Sequence, residues 1–134
     1  SFCIIILRIS QIKMIYKKES YDIVGALFQV HSNLGGGFLE IVYKDALEYE
    51  FKKKNISFVR EKEYVINYKD VVLPHKFYAD FVVFDKIILE IKSAKEFHPK
   101  HVAQCINYLK VSGNKLCILV NFQNESLEFK RIVL

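Results

Sequence analysis

The stretch FYADFVVFDKIILEIK, Phe77 to Lys92, constrains this chain more than any other. It is rich in Phe, Val and Ile, the residues that suit a pleated and buried surface. The pattern predicts two strands joined by a tight turn and covered on both faces. Three charged positions stand out within it: Asp80, Glu90 and Lys92. A charge in a buried strand is costly unless it is paired or holds a metal. Two carboxylates and a lysine can satisfy one another, or they can hold a hard cation.

The turn decides which. A two-residue turn at Asp85-Lys86 pairs Phe84 with Ile87 and sends Asp80 and Glu90 to opposite faces. A three-residue turn, Phe84–Lys86, or a bulge places Asp80 opposite Glu90. Lys92 lies two beyond Glu90 and shares its face in either case. Common chemistry therefore requires the longer turn or a bulge.

The rest of the chain reads as scaffold. Its 134 residues, 51% hydrophobic and 26% charged, predict one soluble domain with a real core. Residues 20–34 predict a helix capped by Ser20, with Ile23, Leu27, Val30 and Leu34 on its apolar face. Gly35–Gly37 break the chain. They are not a phosphate-cradling loop, since no Lys-Ser/Thr follows and a helix precedes them. A second helix, Phe38–Lys54, has Leu39, Val42, Ala46 and Tyr49 as its expected stripe, with Asn55 as its stop. Glu40 and Tyr43 share a face near its start, where Glu40 also complements the helix dipole.

Val59–Tyr68 predicts a half-exposed strand, Lys69-Asp70 a turn, and Val71–Leu73 a short strand ended by Pro74. After the central hairpin comes a helix from Pro99 to Val111. Val102, Ile106 and Leu109 face inward on it, with Cys105 beside them and Gln104 and Tyr108 forming a polar pair. Leu116–Phe122 and Leu127–Val133 complete the strands. This order predicts an α/β fold, a mixed β-sheet flanked by helices, with a helical crossover joining parallel strands.

Residues 1–13 are read as an N-terminal extension, either an edge strand or a non-native addition, and residues 14–134 as a single domain. The apolar run Phe2–Leu7 is far short of the roughly 20 residues that span a bilayer, and it lacks the flanks of a signal peptide. No membrane role is expected. Cys3, Cys105 and Cys117 show no metal spacing and suit a reducing, cytoplasmic setting. The net charge of +5 (20 basic minus 15 acidic) weakly favours a polyanionic partner. His31, His75, His98 and His101 match no ligand pattern and are expected on the surface or in loops.

Magnesium, or manganese, suits the carboxylates, because a hard ion that keeps several waters needs only two or three protein oxygens. Asp80 and Glu90 are the core pair, the Ile91 carbonyl can add an oxygen, and Glu40 can approach from the helix end. The metal would supply Lewis acidity at a phosphate and activate water. Lys92 suits positioning and charge neutralisation better than a base role, since adjacent carboxylates raise a lysine pKa.

Asp80, a nine-residue spacer and Glu90-Ile91-Lys92 resemble the motif of the PD-(D/E)XK nuclease superfamily, with Ala79 in place of its proline. The stretch GFLEIVY, Gly37–Tyr43, resembles the signature of the GxxExxY family within that superfamily. The likeness continues through FYADFVV, ILEIKS, QCINYLK, VNF and FKRIVL, covering about Tyr16 to Leu134. Gly36 stands where many members have proline, with no disturbance of the chemistry expected.

The resemblance implies a restriction-endonuclease-like core and a metal-dependent nuclease acting on nucleic acid, DNA rather than RNA. It implies that Asp80 and Glu90 bind metal, that Lys92 is the active-site lysine, and that Glu40 lies on a helix beside the metal. Gln104 and Tyr108 match a Gln-x-x-x-Tyr motif that lines the site in exonuclease-like branches. Lys95, Lys100 and His101 follow the active strand and are expected to hold the nucleic-acid backbone; Lys130 and Arg131 are less placed, because a strand alternates faces. A homodimer is open. The rivals are a module that keeps the fold and binds nucleic acid or protein without turnover, and a purely structural ion cluster.

Overall fold

A computed structural model describes residues 15–134. The expectations for residues 1–13, Cys3 and Met14 lie outside the described residues. Helices α1 (Lys17–Leu34) and α2 (Glu40–Lys53) come first. Strands β1 (Phe58–Tyr68), β2 (Val71–Val83) and β3 (Ile87–Lys92) follow. Helix α3 (Pro99–Ser112) then leads to β4 (Leu116–Asn121) and β5 (Glu128–Val133). The five strands form one mixed sheet in the order β1-β2-β3-β4-β5. The β3–β4 pair is parallel, which is why a helix must join those strands, and the other pairs are antiparallel.

The sheet is covered on both faces. On one, Ile87, Leu89 and Ile91 of β3 pack with Ile23 and Leu27 of α1 and Leu47 and Phe51 of α2. On the other, Ile88 packs with Cys117, Leu119 and the α3 residues Cys105, Tyr108 and Leu109. Double coverage explains why β3 and β4 read as unbroken apolar runs. The two cysteines are buried core residues.

Several local expectations change. Ser20 does not cap α1; it lies buried within the helix, which starts at Lys17. On α2 the expected stripe is wrong: Leu39 and Tyr49 are exposed, and the buried face is Tyr43, Lys44, Leu47 and Phe51. An i, i+4, i+8 aromatic and leucine series outcompetes the smaller Val42 and Ala46 for burial. Pro74 does not end a strand. Ile66 of β1 lies between the pairs Val65–Lys76 and Asn67–Val72, so Pro74 falls in an irregularity where its missing N–H breaks no ladder bond.

The hairpin between β2 and β3 has the three-residue turn. Phe81, Val82 and Val83 pair with Leu89, Ile88 and Ile87, which puts Asp80 level with Glu90. Phe84 and Asp85 both adopt positive φ, 55° and 58°, the left-handed region of a tight hairpin turn. The Lys86 N–H closes the turn on the Val83 carbonyl at 3.2 Å, and the Phe84 N–H donates to Ser57 at 2.9 Å. The Lys86 ammonium lies 3.0 Å from Glu19 and over the Tyr16 ring, tying the turn to α1.

Candidate active site

The site forms where the β2–β3 ladder stops. Beyond the Phe81–Leu89 pair, side chains take over from carbonyls. The Asp80 N–H donates to Glu90 Oε1 at 3.0 Å, and the Ile91 N–H donates to Asp80 Oδ2 at 2.7 Å. Each carboxylate is thus held by the other strand's backbone. The face alternation of β2 is also reset here. Phe77 and Ala79 pack on the α3 side, whereas Phe81 and Val83 pack on the α1–α2 side.

Glu90 is 2% exposed. Burial, together with the neighbouring Asp80 carboxylate, pushes its acid up to about 9, against the weaker pull of Lys92. A buried carboxyl next to another carboxylate favours a cation close to it. Among the described residues, no three His, Cys, Asp or Glu side chains are grouped so as to hold a metal ion on their own. The donor set of two carboxylates on a hairpin still fits a hard divalent ion that retains waters.

Lys92 reaches over α3. Its ammonium donates to Gln104 Oε1 at 3.2 Å. Tyr108, one turn along that helix, is buried and donates its hydroxyl to the Tyr78 carbonyl at 2.9 Å, two residues before Asp80. Burial, with the Glu90 and Asp80 charges next, raises its pKa. The structure therefore brings together Asp80, Glu90, Ile91, Lys92, Gln104 and Tyr108.

Glu40 is placed differently. It is exposed at the first residue of α2. Phe38, two residues earlier, accepts a 2.7 Å hydrogen bond from Ser93 through its carbonyl, and Lys44, one turn later, reaches Asp80. Glu40 lies between these two contacting residues in the sequence, and it does not complete a three-carboxylate cluster. Tyr43 is a packing residue: it stacks on Phe122 at 4.4 Å, donates to the Gly35 carbonyl and accepts from the Phe38 N–H. It fixes the glycine turn that delivers the helix end.

The expected phosphate contacts divide. Lys95 and Lys100 are exposed on the loop after β3 and the start of α3. His101 is not a free cation. Its Nδ1 accepts from the His98 N–H at 3.1 Å, while His98 in turn caps Lys100. Burial and then Lys92, Lys100 and His98 lower its pKa, so it stands neutral near pH 7. His31, expected at the surface, is buried, with its ring N–H on the Asn124 carbonyl at 2.8 Å. Lys130 pairs with Leu119, which pairs with Glu90, and its ammonium sits over Phe97 on the α3 side. Arg131 faces the other way, over Phe129.

Sequence reasoning missed Lys44 and Glu61. Lys44 is buried on α2 and donates to Asp80 Oδ1 at 2.9 Å and to Glu61 Oε1. Glu61 lies level with Asp80, between the pairs Arg60–Phe81 and Lys62–Ala79, and adopts φ 55° inside its strand. The one available signal was that Lys44 falls on the Tyr43–Leu47–Phe51 face of α2.

The chain matches the PD-(D/E)XK nuclease superfamily over residues 17–132 and belongs to it. No curated protein matches it. It shares its fold with the crystal structure of SSO0001, with a TM-score of 0.56 and 22% identity over 92% of this chain and 60% of that one. An alkaline exonuclease (LHK-Exo) from Laribacter hongkongensis aligns at a TM-score of 0.47 and 13% identity, over 64% of this chain and 51% of that one. The chain thus spans less than two thirds of either solved structure. Among the described residues no helix is long and apolar enough to cross a membrane.

Proposed function

We propose that this chain is a metal-dependent phosphodiesterase that cleaves nucleic acid, DNA in preference to RNA. The carrying observation is the pair Asp80 and Glu90, each laced to the other strand's backbone at the point where β2 and β3 part, with Lys92 braced on Gln104 beside them. Within the superfamily, the GFLEIVY stretch supports a place in the GxxExxY family. Asp80, Glu90 and the Ile91 carbonyl would hold magnesium or manganese, with Glu40 at the helix end as the further candidate ligand. The ion would supply Lewis acidity at the scissile phosphate and acidify the attacking water.

The protein's own groups do the rest. Lys92, oriented by Gln104, offsets negative charge building on the phosphate. Tyr108 fixes the Tyr78 carbonyl and so the path of β2 into Asp80. Lys95, Lys100 and Lys130 offer cationic contacts for the backbone, which bare carboxylates would repel.

Calorimetric titration with magnesium and manganese tests this reading, alongside cleavage of labelled DNA and RNA. Wild type should bind and cleave, and Asp80→Ala should lose both by at least tenfold while remaining folded. Equal metal affinity in the two proteins would overturn it.

A further inference from the structure

Lys44 is a buried ammonium placed on a carboxylate that the proposed function assigns to a metal. Its side chain is 10% exposed, that of Asp80 16%, and that of Glu61 49%. The ammonium is shared between the two carboxylates, and they stand at facing positions of neighbouring strands. Asp80 keeps its second oxygen on the Ile91 N–H. Lys44 therefore lies on the α2 side of Asp80, while the backbone of β3 holds the other side.

Two features make this more than a surface ion pair. A lysine is rarely buried without a partner, and here the partner is the site itself. Glu61 takes a left-handed backbone conformation at φ 55°, a region a glutamate disfavours and glycine or asparagine would occupy readily. Non-glycine residues persist there where the surroundings demand it, and such residues cluster at functional positions. At this position the Glu61 carboxylate meets Lys44.

We propose that Lys44 is a built-in cation that neutralises Asp80 in the metal-free site, and that Glu61 is the acceptor that draws it aside when a divalent ion binds. This rests on the metal-dependent reading above. A lysine stem is flexible and its ammonium can turn between acceptors. Glu61, already bonded and half-exposed, takes the whole ammonium at little desolvation cost. The exchange keeps Asp80 matched by positive charge at every stage. Lys44 and Glu61 are positioning residues, acting through Asp80.

Manganese titration calorimetry on wild type, Lys44→Gln, Glu61→Gln and the double variant tests the proposal, with thermal melts of each metal-free protein. Removing Lys44 should tighten manganese binding about tenfold, the order expected when a unit charge beside a divalent ion is removed. Glu61→Gln should weaken binding several-fold, because Lys44 then stays on Asp80. The decisive comparison is the double variant, which should match Lys44→Gln alone, since Glu61 acts only through Lys44.

Additive effects, or weaker binding in Lys44→Gln, would show a structural clamp or plain field effects and overturn the proposal. If Lys44→Gln fails to fold, Lys44→Met, which keeps the apolar stem, takes its place in the cycle. Manganese binding to wild type without these shifts sinks this proposal alone. No binding to wild type or any variant sinks the metal-dependent reading with it.

Discussion

Glu90 is the residue on which the energetics of the site turn. Its ordinary acid value is 4.5, and in the folded chain it is pushed up to about 9, by burial first and Asp80 second. An acid raised in the folded state contributes stability that is fully present below the unfolded value and lost as pH climbs through the folded one. The metal-free protein should therefore weaken between about pH 5 and pH 9, by on the order of a few kcal/mol. Glu90→Gln keeps an oxygen for the Asp80 N–H and removes the charge. In chelator, its melting temperature should change little over that range and exceed wild type at pH 8. A parallel pH profile in the two proteins would place the lost stability elsewhere.

At the scale of the elements, the glycine turn between α1 and α2 sets how close the helix end comes to the sheet. A Cβ at Gly36 would lie 2.2 Å from the Gln123 carbonyl oxygen, with backbone on all three nearest atoms. Gly36→Ala should cost roughly 1–3 kcal/mol in denaturant unfolding, as overpacking does. Gly25, in the body of α1 with open space around it, is the control: Gly25→Ala should stabilise by about 0.5–1 kcal/mol.

What could be read from the residues follows the same physics. Double-sided burial made β3 and β4 plain, and the need for Asp80 and Glu90 to meet demanded the longer turn. Lys44 was hidden because a single lysine on an amphipathic helix reads as solvated; only the partner at Asp80, 36 residues away, explains its burial. The backbone of Glu61 could not be read at all, since nothing local to a glutamate asks for a positive φ. The capping role of His98 and His101 was hidden behind their charge, and the α2 face behind exposed Leu39 and Tyr49.

For the whole molecule, the cations proposed to meet a substrate are Lys95 and Lys100, exposed after β3 and at the start of α3, and Lys130 over Phe97, while Arg131 points to the α1–α2 side. Reversing charge at Lys95 and Lys100 should weaken DNA binding and lower the slope of log affinity against log salt by about 2, one per lost phosphate contact, with metal affinity largely kept. An unchanged salt slope would leave these lysines as solubilising groups. The turn at Phe84–Lys86 carries a different consequence, one for heredity. Because β2 and β3 are apolar on both faces around it, losing a single codon there need not expose the core. Deleting Ile88, just past that turn, would pair Phe81 with Glu90 and Asp80 with Ile91; the chain should still express and fold, with Glu90 carried to the opposite face from its partner and metal binding abolished in calorimetry. A lineage of such proteins could thus lose its chemistry in one step and keep its architecture, leaving descendants whose sequences differ from active relatives by one missing letter.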